Sequence, residues 1–265
     1  MEFDSLVQGP GERHLIYGGT RTGKSSLMDM SIRHIQRERP ECMCLVLDTK
    51  PRFRAQYQIG RGIGHSQRSP ADKLYLGWAK GPVMPNSVTL DWDSRHPFRG
   101  MWDYDKHPGE VVFAQSDEPS KWMAMLQLAK HFVALRTTRE RLLVIDEGMD
   151  FYQRNTLGID ARNDIILRAA RAGGERHIGL LFGAHRPYGI PPLLNTMSSR
   201  VTLFHLRFQK DMQYLYGMGI PEDDEPPGGD YIFHQYSIAP GGVVSPPVAA
   251  RLRLPQSYLD QLSST

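Results

Sequence analysis

The run Gly18-Gly19-Thr20-Arg21-Thr22-Gly23-Lys24-Ser25 satisfies the pattern G-x-x-x-x-G-K-[ST] in full, and Ser26 follows it. Glycines at both ends let a loop wrap until several backbone N–H groups converge on one anion. A helix opening at Lys24 adds the positive end of its dipole. Gly18 to Ser26 are therefore a candidate phosphate cradle, with Lys24 reaching the terminal phosphates and the Ser25 hydroxyl directed to Mg2+. With Gly at about 7% of residues, chance yields such a pattern in roughly one chain in a hundred of this length.

The second chemical feature is Leu142-Leu143-Val144-Ile145-Asp146-Glu147, an apolar run ending in two carboxylates. A buried strand delivers its last residues to the C-terminal edge of an open α/β sheet, where ligands bind. There Asp146 would hold Mg2+ through its water shell, and Glu147 would orient or deprotonate an attacking water. The pair makes the chain a candidate hydrolase and not merely a nucleotide binder. The guanine-reading Asn-Lys-x-Asp and the transporter signature Leu-Ser-Gly-Gly-Gln are both absent, so the expected nucleotide is ATP.

These residues need particular elements to position them. Residues 14–17 read as a short strand and 18–23 as a turn, and Leu27, Met28, Ile32 and Ile35 fall at helical spacing from Lys24 to near Pro40. Residues 43–48 form a nearly continuous apolar run, suited to a parallel strand buried on both faces. Further strands are expected at 111–115, 142–146, 178–184, 200–206, 231–236 and 248–254, with helices at 120–136 and about 160–172. The last two strands follow an acidic, proline-rich loop at 222–230 and suit an antiparallel edge. Alternating strands and helices predict an α/β fold with a doubly wound, mostly parallel sheet, as one domain over residues 1–265.

Between Lys50 and His107 the periodicity fades, and an irregular insertion is expected. It holds ten Lys and Arg against five Asp, together with eight aromatics: Phe53, Tyr57, Tyr75, Trp78, Trp92, Phe98, Trp102 and Tyr104. Basic residues interleaved with aromatics suit a surface that neutralises phosphates and stacks unpaired bases. A small aromatic core with a basic rim accounts for the same composition equally well.

The 265 residues are 40% hydrophobic and 23% charged, an ordinary globular composition that excludes a disordered or disulfide-scaffold chain. A net charge of +3 is too small to argue for nucleic acid by itself. Cys42 and Cys44 fit neither a C-x-x-C redox pair nor a zinc site and read as reduced core residues of a cytoplasmic protein. The start lacks the character of a signal peptide and the longest apolar run is too short for a bilayer, so no membrane insertion is expected.

The segment Arg168-Ala-Ala-Arg171-Ala-Gly-Gly-Glu-Arg176-His-Ile-Gly-Leu-Leu-Phe-Gly-Ala-His185-Arg186-Pro187 resembles the HerA and FtsK superfamily of DNA-pumping ATPases. In that family an arginine-bearing helix leads into a strand ending in Ala-Thr-Gln-Arg-Pro. Asp48-Thr49-Lys50 is similar to its Asp-Pro-Lys. The resemblance covers about residues 13–50 and 108–208, leaving out the insertion and the tail. It implies a RecA-like P-loop NTPase fold working as a ring, usually a hexamer, with ATP held between subunits and DNA in the pore.

The resemblance also assigns roles. His185 stands where the family has its sensor glutamine, a departure that keeps one donor and one acceptor when neutral. Arg171 and Arg176 are candidates for an arginine finger reaching a neighbouring subunit's ATP, with Arg168 behind them. The leading expectation is an Mg2+-dependent ATPase that translocates or packages DNA. The alternative is an ATP-controlled switch or assembly ATPase acting on protein partners, as in filamentous-phage morphogenesis.

Overall fold

The computed structural model describes residues 9–50, 74–80, 85–90, 110–115, 119–152, 164–221 and 231–253. In chain order these form β1 (Arg13–Tyr17), α1 (Lys24–Glu38), β2 (Met43–Asp48), β3 (Leu74–Lys80), β4 (Pro85–Leu90), β5 (Glu110–Gln115), α2 (Pro119–Ala134) and β6 (Arg141–Asp146). A 3-10 turn (Gly148–Tyr152) follows, then α3 (Ile165–Arg176), β7 (Ile178–Ala184), α4 (Pro192–Thr196), β8 (Arg200–Phe204), α5 (Gln209–Tyr216), β9 (Ile232–Ser237) and β10 (Val248–Arg251).

The strands join one sheet in the order β10-β9-β8-β1-β7-β6-β2-β5-β3-β4. From β8 to β5 all neighbours are parallel, while β9 and β10 extend one edge antiparallel and β3 and β4 the other. One relation matters most for chemistry: β7 lies between β1 and β6. The residue following β7 therefore emerges between the phosphate loop and the paired carboxylates.

Side chains along a strand alternate between faces, and here both faces are dry. Leu15, Leu45, Leu143 and Leu180 pack with Met125, Phe132, Ile166 and Ala169 of α2 and α3. Ile16, Val46, Val144 and Leu181 pack with Leu27, Met28, Ile32 and Ile35 of α1. Every residue of β2, β6 and β7 is buried, which is why these strands read as continuous apolar runs without alternation. The two thiols, Cys42 and Cys44, are free and buried as expected, and burial pushes both well above the usual thiol range.

Arg141, at the start of β6, is almost wholly buried. Its guanidinium donates to the carbonyls of Phe132, Val133 and Leu135 at the end of α2 (3.0, 3.1 and 3.1 Å), and to the Arg176 carbonyl at the end of α3 (2.9 Å). Two helix ends whose carbonyls have no partner within the helix are thus satisfied by one cation.

The structure departs from the sequence reading in three places. Part of the region expected to be an irregular insertion is regular: β3 and β4 form an antiparallel hairpin hydrogen-bonded to β5. Gly77 and Pro85 obscure its pattern, and Pro85 is tolerated because it opens an edge strand. The rest of that insertion and the acidic 222–230 loop lie outside the described residues.

Second, α3 begins at Ile165, with the Asp164 carboxylate capping the N–H groups of Ile166 and Leu167, and runs on to Arg176. Gly173, within its last turns, serves packing, since a Cβ there would lie 2.8 Å from the Ile178 carbonyl. Third, the short helices α4 and α5 have no counterpart in the sequence reading. Among the described residues no helix is long and apolar enough to cross a membrane.

Candidate active site

Between β1 and α1 the chain turns through Gly23, whose φ of 107° is open to glycine at little cost. No side chain caps α1, so its first-turn N–H groups suit an anion. The loop is tethered from both sides: Gly18 N–H donates to the Ala184 carbonyl (3.2 Å) and Gly19 N–H to the His205 carbonyl (3.4 Å), at the ends of β7 and β8. It borders a cavity of about 590 Å³ lined by residues 19–26 and by Tyr231.

Beside this cavity the polar residues converge. Lys24 Nζ lies 2.9 Å from Asp146 Oδ1 and 3.5 Å from Glu147 Oε1, and all three side chains are buried. Ser25 Oγ donates to Asp146 Oδ2 (2.8 Å). The other oxygen of Glu147 is met by His185 Nε2 at 2.7 Å and by Lys50 Nζ at 3.6 Å. Glu147 itself has a left-handed backbone, φ 56°, and its N–H donates to Asp146 Oδ1 (3.0 Å). Such a conformation is uncommon for a residue with a side chain and concentrates at functional sites.

Burial alone raises the Glu147 pKa, since it penalises the charged form. The His185 hydrogen bond and the charges of Lys24, His185 and Lys50 more than reverse this and hold the carboxyl at about 2. In this form Glu147 is a fixed anion.

The donor set fits Mg2+. A hydroxyl that lines the phosphate cavity and a carboxylate behind it, both hard oxygen donors, sit 2.8 Å apart, donors of the kind such an ion takes when phosphates complete its shell. No cluster of three or more His, Cys, Asp or Glu suited to a metal occurs among the described residues.

Of the residues singled out by sequence, the structure brings together Lys24, Ser25, Asp146, Glu147 and His185, with Gly19, Thr20, Arg21, Thr22, Gly23 and Ser26 lining the cavity and Gly18 anchoring the loop. It does not bring in Arg168, Arg171 or Arg176, which are exposed along α3. The Arg176 backbone meets Arg141 at the edge of the sheet opposite the loop. Two contributors have no assigned role in the sequence reading. Lys50 is quoted there only for its family likeness. Tyr231 gives no local signal, because it is brought to the loop by strand order. The Arg186 guanidinium, beside His185, is fixed by Asp211 (3.0 and 3.2 Å) and stacks over Phe208 at 4.3 Å.

No family model matches the chain, and no curated protein matches it. Solved structures do. The genome packaging NTPase B204 from Sulfolobus turreted icosahedral virus 2, in complex with ATP-gammaS, aligns over 90% of this chain and 97% of its own with a TM-score of 0.55 and 12% identity. B204 from Sulfolobus turreted icosahedral virus, described as a DNA-packaging ATPase, aligns over 93% and 100% with a TM-score of 0.54, also at 12% identity. EssC (ATPases 2 and 3) from Geobacillus thermodenitrificans aligns over 96% of this chain and 42% of its own, with a TM-score of 0.50 and 10% identity. The chain therefore has the RecA-like fold of P-loop ATPases, the fold expected from the HerA and FtsK resemblance.

Proposed function

We propose that this chain is an Mg2+-dependent ATPase that moves or packages DNA, working in the cytoplasm as a ring-shaped oligomer, with a hexamer the expected form. The observation that carries the reading is the buried Lys24 ammonium shared between Asp146 and Glu147 beside the phosphate cavity. Entry of ATP phosphates into the cradle gives Lys24 a new anionic partner. As the ammonium leaves Glu147, one of the charges that hold its pKa down is withdrawn and its basicity rises.

Glu147 then orients and deprotonates the attacking water, its strained backbone keeping the carboxylate aimed at the cavity. His185, emerging between the two halves of the site, hydrogen-bonds Glu147 and is placed to sense the terminal phosphate. When bound, Mg2+ supplies charge neutralisation on the phosphate oxygens, and Ser25 and Asp146 are the residues to hold it. Arg171 or Arg176 reaches the ATP of a neighbouring subunit and stabilises the transition state there. Since Arg176 lies at the far edge of its own sheet, it can act only in trans.

DNA as the polymer is supported by the excess of Lys and Arg between Lys50 and His107, and by the fold shared with a DNA-packaging ATPase. The deciding measurement is the ATP hydrolysis rate with and without Mg2+ and DNA. Activity only with Mg2+, raised by DNA, is expected. A rate indifferent to DNA favours the assembly ATPase acting on protein partners. For the ring, inactive Lys24→Ala subunits mixed with inactive Arg171→Ala or Arg176→Ala subunits should regain hydrolysis, because some interfaces then pair an intact loop with an intact finger.

A further inference from the structure

Of the described residues lining the phosphate cavity, Tyr231 alone comes from outside residues 19–26. It is held there by the tail of the chain. Its N–H donates to the Thr22 carbonyl (3.0 Å), and its own carbonyl accepts from Leu252 N–H (2.7 Å), so loop and C-terminal hairpin are joined through this one residue. Its backbone is left-handed, φ 63°, a conformation uncommon for a side-chain-bearing residue that persists where the surroundings enforce it. The ring lies against the Gly23 backbone so closely that a Cβ on Gly23 would fall 2.6 Å from Tyr231 Cδ1. It is only partly buried, leaving aromatic surface open to the cavity.

Strand order gives this position its direction. In the sequence β9-β8-β1-β7-β6, Tyr231 precedes β9 while Asp146 and Glu147 end β6, two strands to the other side of β1. With neighbouring strands about 4.8 Å apart, the two features flank the loop strand by roughly 10 Å each. A nucleoside triphosphate whose terminal phosphate faces the carboxylates has its nucleoside end directed toward β9. We infer that Tyr231 is the platform on which the nucleoside of the bound triphosphate stacks. This inference rests on the nucleotide-binding reading of the loop and extends it to the end of the ligand remote from the reaction. Stacking is tolerant of base identity because every base presents a π face, so the platform contributes affinity more than selection among purines.

The test compares binding of ATP and of inorganic tripolyphosphate, each with Mg2+, by calorimetry on the full chain. Tyr231→Leu keeps an apolar group against Gly23 but has no π face. It should lose about tenfold or more in affinity for ATP and nothing for tripolyphosphate, whereas Tyr231→Phe should match the parent for both. Tyr231→Trp adds a reporter: its fluorescence should be quenched by ATP and left unchanged by tripolyphosphate. Parental ATP affinity in Tyr231→Leu, or an equal loss for both ligands, overturns the platform while leaving the phosphate loop intact. A parent protein that binds neither ligand overturns the loop reading, and the platform with it.

Discussion

His185 Nε2 stands 2.7 Å from Glu147 Oε2, a contact between the residues that follow β7 and β6. The adjacency of those two parallel strands creates it, with Val144 opposite Leu181 and Ile145 opposite Phe182. Because β7 also pairs with β1, His185 follows the strand that lies between the one leading into the phosphate loop and the one ending at Glu147. If His185 senses the terminal phosphate as proposed, this one hydrogen bond would pass a movement of that phosphate to Glu147.

Glu147→Gln keeps the side-chain shape and removes the charge. ATP should bind with an affinity near that of the parent, while turnover falls by about a hundredfold or more, the usual contribution of a positioned general base. Binding by calorimetry and hydrolysis by phosphate release separate the two effects. Turnover at the parental rate removes Glu147 from the mechanism.

His185→Gln preserves a neutral hydrogen-bonding group and should retain hydrolysis stimulated by DNA. His185→Ala should bind ATP nearly normally and lose that stimulation, since the proposed relay from the terminal phosphate to Glu147 through the imidazole is then gone. Parallel rate measurements with and without DNA decide it. Parental stimulation in His185→Ala reduces the histidine to the end of a strand.

What could be read from the sequence was local. The loop from Gly18 to Ser26 declares itself because its backbone conformation and its chemistry come from consecutive residues, and β2, β6 and β7 declare themselves because burial on both faces leaves an unbroken apolar run. Glu147 was legible for the same reason: it ends such a run. Lys50 and Tyr231 were not, since each reaches the site by strand order, Lys50 from the end of β2 beside β6 and Tyr231 from the start of β9. The hairpin of β3 and β4 was missed because an edge hairpin interrupted by Gly77 and Pro85 carries little period-two signal. Arg141 carries no local signature in the sequence, and only the two helix ends that converge on it show why it is buried.

Arg141→Met should destabilise the fold by about 3 kcal/mol, because four helix-end carbonyls lose a charged donor. For a chain of this size that lowers Tm by roughly 6–12 °C. Arg141→Lys should recover only part of the loss, since an ammonium cannot fork toward two helices at once. Thermal unfolding of the two variants beside the parent checks the order, and a Tm unchanged in Arg141→Met refutes it.

The pH dependence of stability should carry the mark of His14. This residue is fully buried in β1, with Nε2 2.8 Å from Thr202 Oγ1 and Nδ1 without a hydrogen-bond partner among the described residues. Burial, and secondarily the charge of Arg200 directly across on β8, lowers its pKa from 6.5 to about 3. Below pH 6.5 the unfolded chain takes up a proton that the folded chain refuses until near pH 3. The unfolded state therefore binds more protons across that window, and stability falls as pH is lowered through it. Above 6.5 the residue is neutral in both states and contributes no slope. His14→Gln keeps a neutral group for Thr202 and removes the titration, so denaturant unfolding between about pH 6.5 and 4 should lose about one proton's worth of slope relative to the parent. The same slope in both proteins would mean that His14 takes up its proton in the folded state as well.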